Sequence, residues 1–195
     1  MAARWRGCQF GRPGRSAAIA LLAILAGLGA AAQPGPPPPD SGWRIFRDRA
    51  LGFAFAYPAG WVTALGCHGS RRCIAVSDGR RGVNDYTLAL EVFAGGLDQT
   101  ATGKAVFHHG PRGWIASGRY ATHPADQIAG DGWRGLQAVV DCGISDQGGV
   151  HAAAGECLWA VLSNGRISVV ADTQGSSPIT DEVRRIIHSV RFLRP

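Results

Sequence analysis

Hydrophobic and polar residues alternate along much of the chain after residue 42, in short runs typical of β-strands. The first two runs are Trp43–Arg49 and Gly52–Pro58, with Ala50-Leu51-Gly52 as the turn between them. The second run carries aromatic residues at alternate positions, namely Phe53, Phe55 and Tyr57. Because strand side chains alternate with a period of two, these rings share one face and the intervening alanines the other. We expect Pro58 to end the strand, since proline has no N–H to donate to a ladder.

Further strands are predicted by the same alternation, at Arg72–Asp78, Asp85–Phe93, Trp133–Cys142, Glu156–Ser163 and Ile167–Ala171. The last two runs are separated by Asn164-Gly165 and a single arginine. Asn-Gly between apolar runs predicts a hairpin, because both residues tolerate a positive φ. Residues 110–132 are rich in glycine and proline, and their pattern predicts no particular element.

Two segments show helical spacing instead. Leu97–His109 could form a helix, although Gly103 weakens it by roughly 1 kcal/mol. Near the end of the chain the apolar residues follow i, i+3, i+4, i+7 spacing, at Val183, Ile186, Ile187 and Val190. Thr180 is placed to cap that helix, with Asp181 and Glu182 favourable at its positive N-terminus. We expect residues 190–193 to leave the helix as a short final strand.

The N-terminus has the pattern of an export signal. Four arginines and no acid precede an apolar run, Ala17–Ala32, that ends in three alanines. This order predicts a cleaved signal peptide over residues 1–32. A membrane-spanning helix needs ~20 apolar residues, so an uncleaved N-terminal anchor is the weaker alternative. Residues 33–42 form a proline-rich linker, because consecutive prolines favour an extended spacer. The remainder, residues 43–195, has the size of one domain.

The formal charge of +6 owes much to the predicted signal peptide. Cleavage would remove four arginines and leave a charge of +2. Such a small charge gives no support for nucleic-acid binding, and no transmembrane span is expected after cleavage. We therefore expect a periplasmic or secreted protein.

Four cysteines remain after cleavage: Cys67, Cys73, Cys142 and Cys157. An even number in an exported protein predicts two disulfides. Of the three possible pairings, proximity in sequence favours Cys67 with Cys73 and Cys142 with Cys157. A metal site is the alternative, but no Cys-x-x-Cys spacing supports it.

The stretch GFAFAYPAGW at residues 52–61, the antiparallel strands and a closing helix ending in Ser-Val-Arg-Phe at 189–192 resemble the PsbP/Mog1-like superfamily. The resemblance implies an α+β fold, an α/β/α sandwich around a central antiparallel sheet, over most of residues 43–195. Members of that superfamily mostly bind other proteins or act as assembly factors. They share no catalytic residue set, so the resemblance implies no catalytic residue and no cofactor here.

Other candidate chemistry is weak. The segment Gly130–Gly135 fits G-x-G-x-x-G, but a predicted strand follows it where a dinucleotide site needs a helix, so we expect a turn. His68 lies between two cysteines, and a Cys–His pair would lose its thiol to the predicted disulfide. The adjacent His108 and His109 cannot share a face. Two acids, Asp141 and Asp146, flank one loop. Three serines have no visible base partner, namely Ser70, Ser117 and Ser145.

Two arginine pairs flank one predicted strand: Arg71, Arg72, Arg80 and Arg81. Together they could form a basic ridge facing an envelope protein or an anionic wall or lipid surface. The sequence thus favours an exported, non-catalytic binding or assembly-accessory protein without metal or cofactor. The alternative is a small cell-envelope hydrolase with an unrecognised site, which would need a deep pocket with converging His, Asp or Ser side chains.

Overall fold

The structure is a computed structural model of the 195-residue chain, and it describes residues 42–79, 86–146, 149–151, 155–175 and 177–194. The predicted signal peptide and almost all of the linker lie outside the described residues. The described part forms a sheet-dominated α+β fold with two helices, α1 (Leu97–Lys104) and α2 (Asp181–His188). Its strands in chain order are β1 (Trp43–Asp48), β2 (Phe53–Pro58), β3 (Val62–Cys67), β4 (Ser70–Ser77), β5 (Leu88–Ala94), β6 (Phe107–Gly110), β7 (Gly113–Ser117), β8 (Thr122–Pro124), β9 (Asp126–Gly130), β10 (Trp133–Asp141), β11 (Ile144–Asp146), β12 (Gly149–His151), β13 (Glu156–Ser163), β14 (Ile167–Asp172) and β15 (Arg191–Phe192).

A seven-stranded antiparallel sheet is the centre of the fold, in the order β3-β4-β5-β14-β13-β10-β9. In the described part of the chain, three smaller antiparallel sheets accompany it, in the orders β1-β2-β15, β6-β7-β8 and β11-β12. The predicted hairpin at Asn164-Gly165 is present and joins β13 to β14. Its turn is held by the Asn164 side chain, whose Oδ1 accepts from the backbone N–H groups of Arg166 and Ile167.

Buried side chains form two clusters, one containing residues of α2 and the other residues of α1. Successive residues of β14 alternate between the clusters: Val169 belongs to the first, Val170 to the second and Ala171 to the first. Because strand side chains alternate between faces, the clusters occupy opposite faces of the seven-stranded sheet. Both faces of the central sheet are therefore covered.

The first cluster contains both the opening aromatic motif and α2. Phe53 and Phe55 are buried in the same cluster as Val183, Ile186 and Ile187 of α2, and Tyr57 is half-buried beside them. The predicted cap is also present, since Thr180 Oγ1 accepts from the N–H of Val183. These contacts hold the C-terminal helix against the first hairpin.

The helix predicted for residues 97–109 was wrong in its second half. It ends at Lys104, and residues 107–110 form β6. Phe107 is buried opposite Ala116 of β7, so pairing with a neighbouring strand buries its ring and outweighs continuation of a helix already weakened by Gly103.

The structure also has strands where the sequence predicted none. One is β3, an edge strand whose Val62 side chain is 57% exposed. An edge strand with exposed apolar side chains lacks clean alternation, so its pattern is weak. Residues 110–132 contain β7, β8 and β9, whose glycines lie mainly at turns.

The predicted disulfides are present, with Cα–Cα distances of 5.2 Å for Cys67–Cys73 and 5.7 Å for Cys142–Cys157. The second pair is not directly opposite in the ladder, because Cys157 pairs with Val140 and Cys142 lies two residues further along. The disulfide therefore links β13 diagonally to the residue that follows the end of β10. The G-x-G-x-x-G segment is a hairpin turn between β9 and β10, as expected, with Gly132 at a φ of +74°.

Candidate functional site

A hollow of about 450 Å³ lies where five separate stretches of chain meet. Those stretches are the β1–β2 turn, β4, the β9–β10 turn, the β13–β14 turn with the start of β14, and the C-terminal residues. Its described lining includes four arginines, one from each of four stretches: Arg49, Arg72, Arg166 and Arg194. All four are exposed. We call this cavity the arginine hollow.

Local hydrogen bonds fix the backbone around these arginines. Arg72 itself is held, because its Nε donates to the carbonyl of Val92 at 3.0 Å. The turn that carries Arg49 is closed by the Leu51 N–H, which donates to Asp48 Oδ1 at 2.9 Å. Arg194 follows Leu193, whose N–H donates to the carbonyl of Gly52 at 2.8 Å. These hydrogen bonds thus fix the backbone positions from which the arginine side chains extend.

The charge of the arginine hollow is strongly positive. Among its described lining residues Asp131 is the one acid, against four arginines. The Asp131 side chain is 84% exposed, and its Oδ2 lies 3.7 Å from Arg191 Nε, so that arginine already faces it. An exposed pair of this kind contributes little to stability. The lining thus keeps a surplus of positive charge even with Asp131 present.

The same hollow has apolar walls. Leu51, Ile167, Phe192 and Leu193 all line it and are half-buried. Gly52 has a φ of +80°, and a Cβ there would lie 3.1 Å from Ile167 Cδ1. A glycine therefore suits both the turn and the close approach of Ile167.

A second hollow, of about 380 Å³, surrounds the tip of the β3–β4 hairpin. His68 and Gly69 form the tip with φ values of +51° and +71°. Two positive φ values at the tip match a type I′ turn, the turn that suits the twist of a two-residue hairpin. The geometry turns the His68 ring toward Tyr86, and both residues line this cavity.

His68 and Tyr86, which line the second hollow, form a closed hydrogen-bond network with Asp172. The Tyr86 hydroxyl donates to Asp172 Oδ2 at 3.0 Å, and His68 Nε2 lies 3.3 Å from Asp172 Oδ1. The hydrogen bond to Asp172 raises the pKa of His68 above its usual value, against the opposing effect of partial burial. Burial, together with the charge of Asp172, raises the pKa of the Tyr86 hydroxyl far above its usual range.

The polar groups in and around this network already have partners within the protein. Cys67, also in the lining, is consumed by its disulfide, and Ser70 Oγ accepts from the Arg72 N–H at 3.2 Å. His68 Nε2 also lies 3.0 Å from the Tyr86 hydroxyl, so Asp172 and Tyr86 both occupy it. The arrangement is that of a structural clamp at the hairpin tip.

A second His–Asp pair lies beside the Cys142–Cys157 disulfide. His123 Nε2 lies 2.7 Å from Asp141 Oδ1, and Asp141 also accepts from the backbone N–H of Tyr120. The hydrogen bond from His123 lowers the pKa of Asp141. Asp141, one of the two acids that flank a loop in the sequence, thus ties β8 to the end of β10. The other loop acid, Asp146, ends β11.

The two adjacent histidines have separate partners. His108 Nδ1 lies 3.4 Å from Ser117 Oγ, whereas the His109 ring lies 3.8 Å from that of Trp114. Within the described part of the chain, no group of three His, Cys, Asp or Glu side chains is arranged to hold a metal ion.

The predicted basic ridge falls partly outside the described residues, because Arg80 and Arg81 are not among them. Arg71 lines the second hollow and Arg72 the arginine hollow. Neighbours in a strand point to opposite faces, which separates these two side chains. The ridge as a whole stays a prediction.

Sequence reasoning missed the arginine hollow. Arg49, Arg166 and Arg194 are isolated arginines far apart in the chain. The available signal was the position of Arg49 and Arg166 beside turns, next to Leu51-Gly52 and Asn164-Gly165. That position does not indicate which turns meet at the same end of the sheet.

None of the helices in the described residues is long and apolar enough to cross a membrane. No protein-family model matches the chain, and a search of curated proteins found no match.

Solved structures show similarity in fold. A crystal structure of a protein from Bacteroides thetaiotaomicron VPI-5482 matches with a TM-score of 0.50 and 10% identity, over 77% of this chain. This chain spans about half of that protein, 48% of its length. The solution structure of cyanobacterial PsbP (CyanoP) from Synechocystis sp. PCC 6803 matches with a TM-score of 0.45 and 12% identity, over 88% of this chain and 98% of the other. These matches concern the fold alone.

Proposed function

We propose that this protein is an exported, non-catalytic binding or assembly-accessory protein whose binding site for an anionic partner is the arginine hollow. The observation that carries the proposal is the convergence of four arginines on one cavity of about 450 Å³. Clefts lined by one sign of charge concentrate ligands of the opposite sign. Export is supported by the two disulfides, which persist in oxidising compartments, and by the predicted signal peptide.

We further propose that α1 and α2 form the outer layers of an α/β/α sandwich. Support comes from the two core clusters, since each helix contributes to a different one. On the α2 side, the helix shares a core cluster with β2, and the hydroxyl of its C-cap residue Ser189 accepts from the N–H of Ala56 in β2.

The alternative, a small envelope hydrolase, has one observation in its favour, the His68–Asp172 pair with its raised histidine pKa. Perturbed titratable groups do gather at catalytic sites. Here, however, His68 is already bonded to Asp172 and Tyr86, and the neighbouring cysteine is in a disulfide. The network therefore supports a structural role better than a catalytic one.

The test compares capture of envelope components by the mature chain and by two double variants. One variant, Arg72→Gln with Arg166→Gln, changes the arginine hollow. The matched control, Arg44→Gln with Arg47→Gln, changes two exposed arginines of β1 outside that hollow. We expect a component that is captured by the wild type and the control, lost with the hollow variant and released by salt.

The enzyme alternative is tested in parallel with ester and phosphate-ester substrates. Turnover that disappears in Asp172→Asn would replace the binding proposal with the hydrolase. Capture that is unchanged in the hollow variant would place the binding surface elsewhere and defeat the proposal.

A further inference from the structure

The following inference rests on the proposed function and assigns its ligand class. We infer that the arginine hollow binds the phosphate group of an amphiphilic ligand, with the apolar part of that ligand against Leu51, Ile167 and Phe192. Three features of the cavity support this assignment: its charge, its hydrogen-bonding geometry and its apolar wall.

The charge favours a phosphate over a carboxylate. The described lining carries four arginines and one acid, and that acid already faces Arg191. One carboxylate would bring a single negative charge into this surplus, whereas a phosphate monoester brings roughly 1.5 to 2. It also presents three acceptor oxygens, so more than one guanidinium group can bind it at once.

The geometry suits an oxyanion. Arg72 uses its Nε on the carbonyl of Val92, which leaves its two Nη groups as a fork on an anchored stem. Arg166 comes from a turn fixed by Asn164, on β14's side of the cavity. Planar guanidinium forks suit phosphate oxygens and cost little additional ordering when the stem is already held.

The volume and apolar walls of the arginine hollow suit a ligand larger than an inorganic ion. A volume of about 450 Å³ lies within the range of small-molecule sites, roughly 300–1,000 Å³, and far exceeds a bare phosphate. Ile167 and Phe192 are half-buried apolar side chains that both line the cavity and pack against the first core cluster. An alkyl or aromatic group next to the phosphate would cover them and remove apolar surface from water.

Asp131 stands where a second anionic group would be repelled. Its carboxylate is exposed on the β9–β10 turn and lies beside Arg191. We therefore expect Asp131→Asn to strengthen binding of a phosphate ligand, the opposite of the effect of an arginine substitution. Opposite signs at two positions of one cavity would be hard to obtain by general loss of structure.

The experiment is titration calorimetry of the mature, disulfide-bonded chain. The probes are inorganic phosphate, octyl phosphate below its micelle concentration, and octyl trimethylammonium as the charge-reversed control. We expect octyl phosphate to bind more tightly than inorganic phosphate, and octyl trimethylammonium not to bind. Arg72→Gln and Arg166→Gln should each weaken octyl phosphate binding roughly 10- to 100-fold, the range for losing hydrogen bonds to a charged group.

Arg44→Gln is the matched control and should leave the affinity unchanged, with equal melting temperatures showing that all variants fold. Equal binding of octyl phosphate and octyl trimethylammonium would overturn the inference, as would an affinity insensitive to Arg72 and Arg166. A second arm uses phosphatidylcholine vesicles with and without phosphatidic acid. Binding to the phosphatidic acid vesicles supports a lipid source of the phosphate, and binding of soluble octyl phosphate alone supports a soluble source.

The experiments distinguish failure of the proposed ligand class from failure of the proposed binding function. If no phosphate probe binds but an envelope component is still lost with the hollow variant, the ligand class is wrong and the binding function stands. If neither phosphate binding nor capture depends on the arginines, both fall.

Discussion

His68 Nε2 lies 3.3 Å from Asp172 Oδ1, although β5 separates β4 from β14 in the order of the central sheet. The register of β3 and β4 shifts between Leu65 and Cys67, around Gly66 at a φ of +98°. The Cys67–Cys73 disulfide closes the hairpin just below its tip. A bulge bends its strand, so the tip can reach across the sheet and contact Asp172.

This contact makes stability depend on pH. The pKa of His68 is raised in the folded state, so the contribution of its charged form is fully present below the unfolded value near 6.5. That contribution is lost as the pH rises through the higher, folded pKa. The free energy of unfolding of the wild type should therefore exceed that of His68→Asn by more at pH 6 than at pH 9.

Asparagine is the chosen replacement because it tolerates the positive φ of +51° at this position. Chemical denaturation at several pH values measures the difference. His188, whose pKa is lowered by burial, acts in the opposite direction and is present in both proteins, so it cancels. A difference that does not vary with pH would show that His68 and Asp172 do not interact as an ion pair.

Phe55 should carry much of the stability of the first core cluster. Its ring is 1% exposed, stacks on Phe46 at 5.0 Å between centroids and shares its cluster with α2. We expect Phe55→Ala to lower the free energy of unfolding by ~3–5 kcal/mol, the range for truncating a buried phenylalanine. The matched control Ile45→Ala removes a side chain that is 54% exposed and should cost well below that amount. A loss of under ~1 kcal/mol for Phe55→Ala would mean that the ring is not in the core.

The disulfides should differ in their effect on stability. Cys142–Cys157 spans 15 residues and Cys67–Cys73 spans 6. In the chain-entropy model, the longer loop contributes ~3 kcal/mol and the shorter one ~2 kcal/mol. Replacing each pair with serines should therefore lower the melting temperature more for Cys142 and Cys157. Non-reducing peptide mapping should find the same two links, and crossed links such as Cys67–Cys142 would contradict the strand pairing.

Export remains a prediction, because residues 1–32 lie outside the described residues. We expect the mature chain to begin near Gln33, after the three alanines that end the apolar run. N-terminal sequencing of the protein from the periplasm or medium tests this. Full-length chain that begins at Met1 and is recovered from the cytoplasm would contradict it.

The sequence by itself determined the features that depend on near neighbours in the chain. The period of two placed Phe53 and Phe55 on a buried face, and helical spacing placed Val183, Ile186 and Ile187 on another. The cap at Thr180 and the turn at Asn164-Gly165 follow from side chains that bond their own backbone within a few residues. Periodicity, caps and turns are local, so a linear pattern contains them.

Only the tertiary structure decided which distant residues meet. Packing of the β1-β2-β15 sheet against the central sheet brings Arg49 and Arg194 to the same cavity as Arg166, and the bent hairpin brings His68 to Asp172. Tertiary structure also decided the secondary structure of Phe107. It pairs with Ala116 in a strand, where local spacing predicted a helix. Strand order and register arise from the packing of the whole core, and no residue encodes them through its neighbours alone.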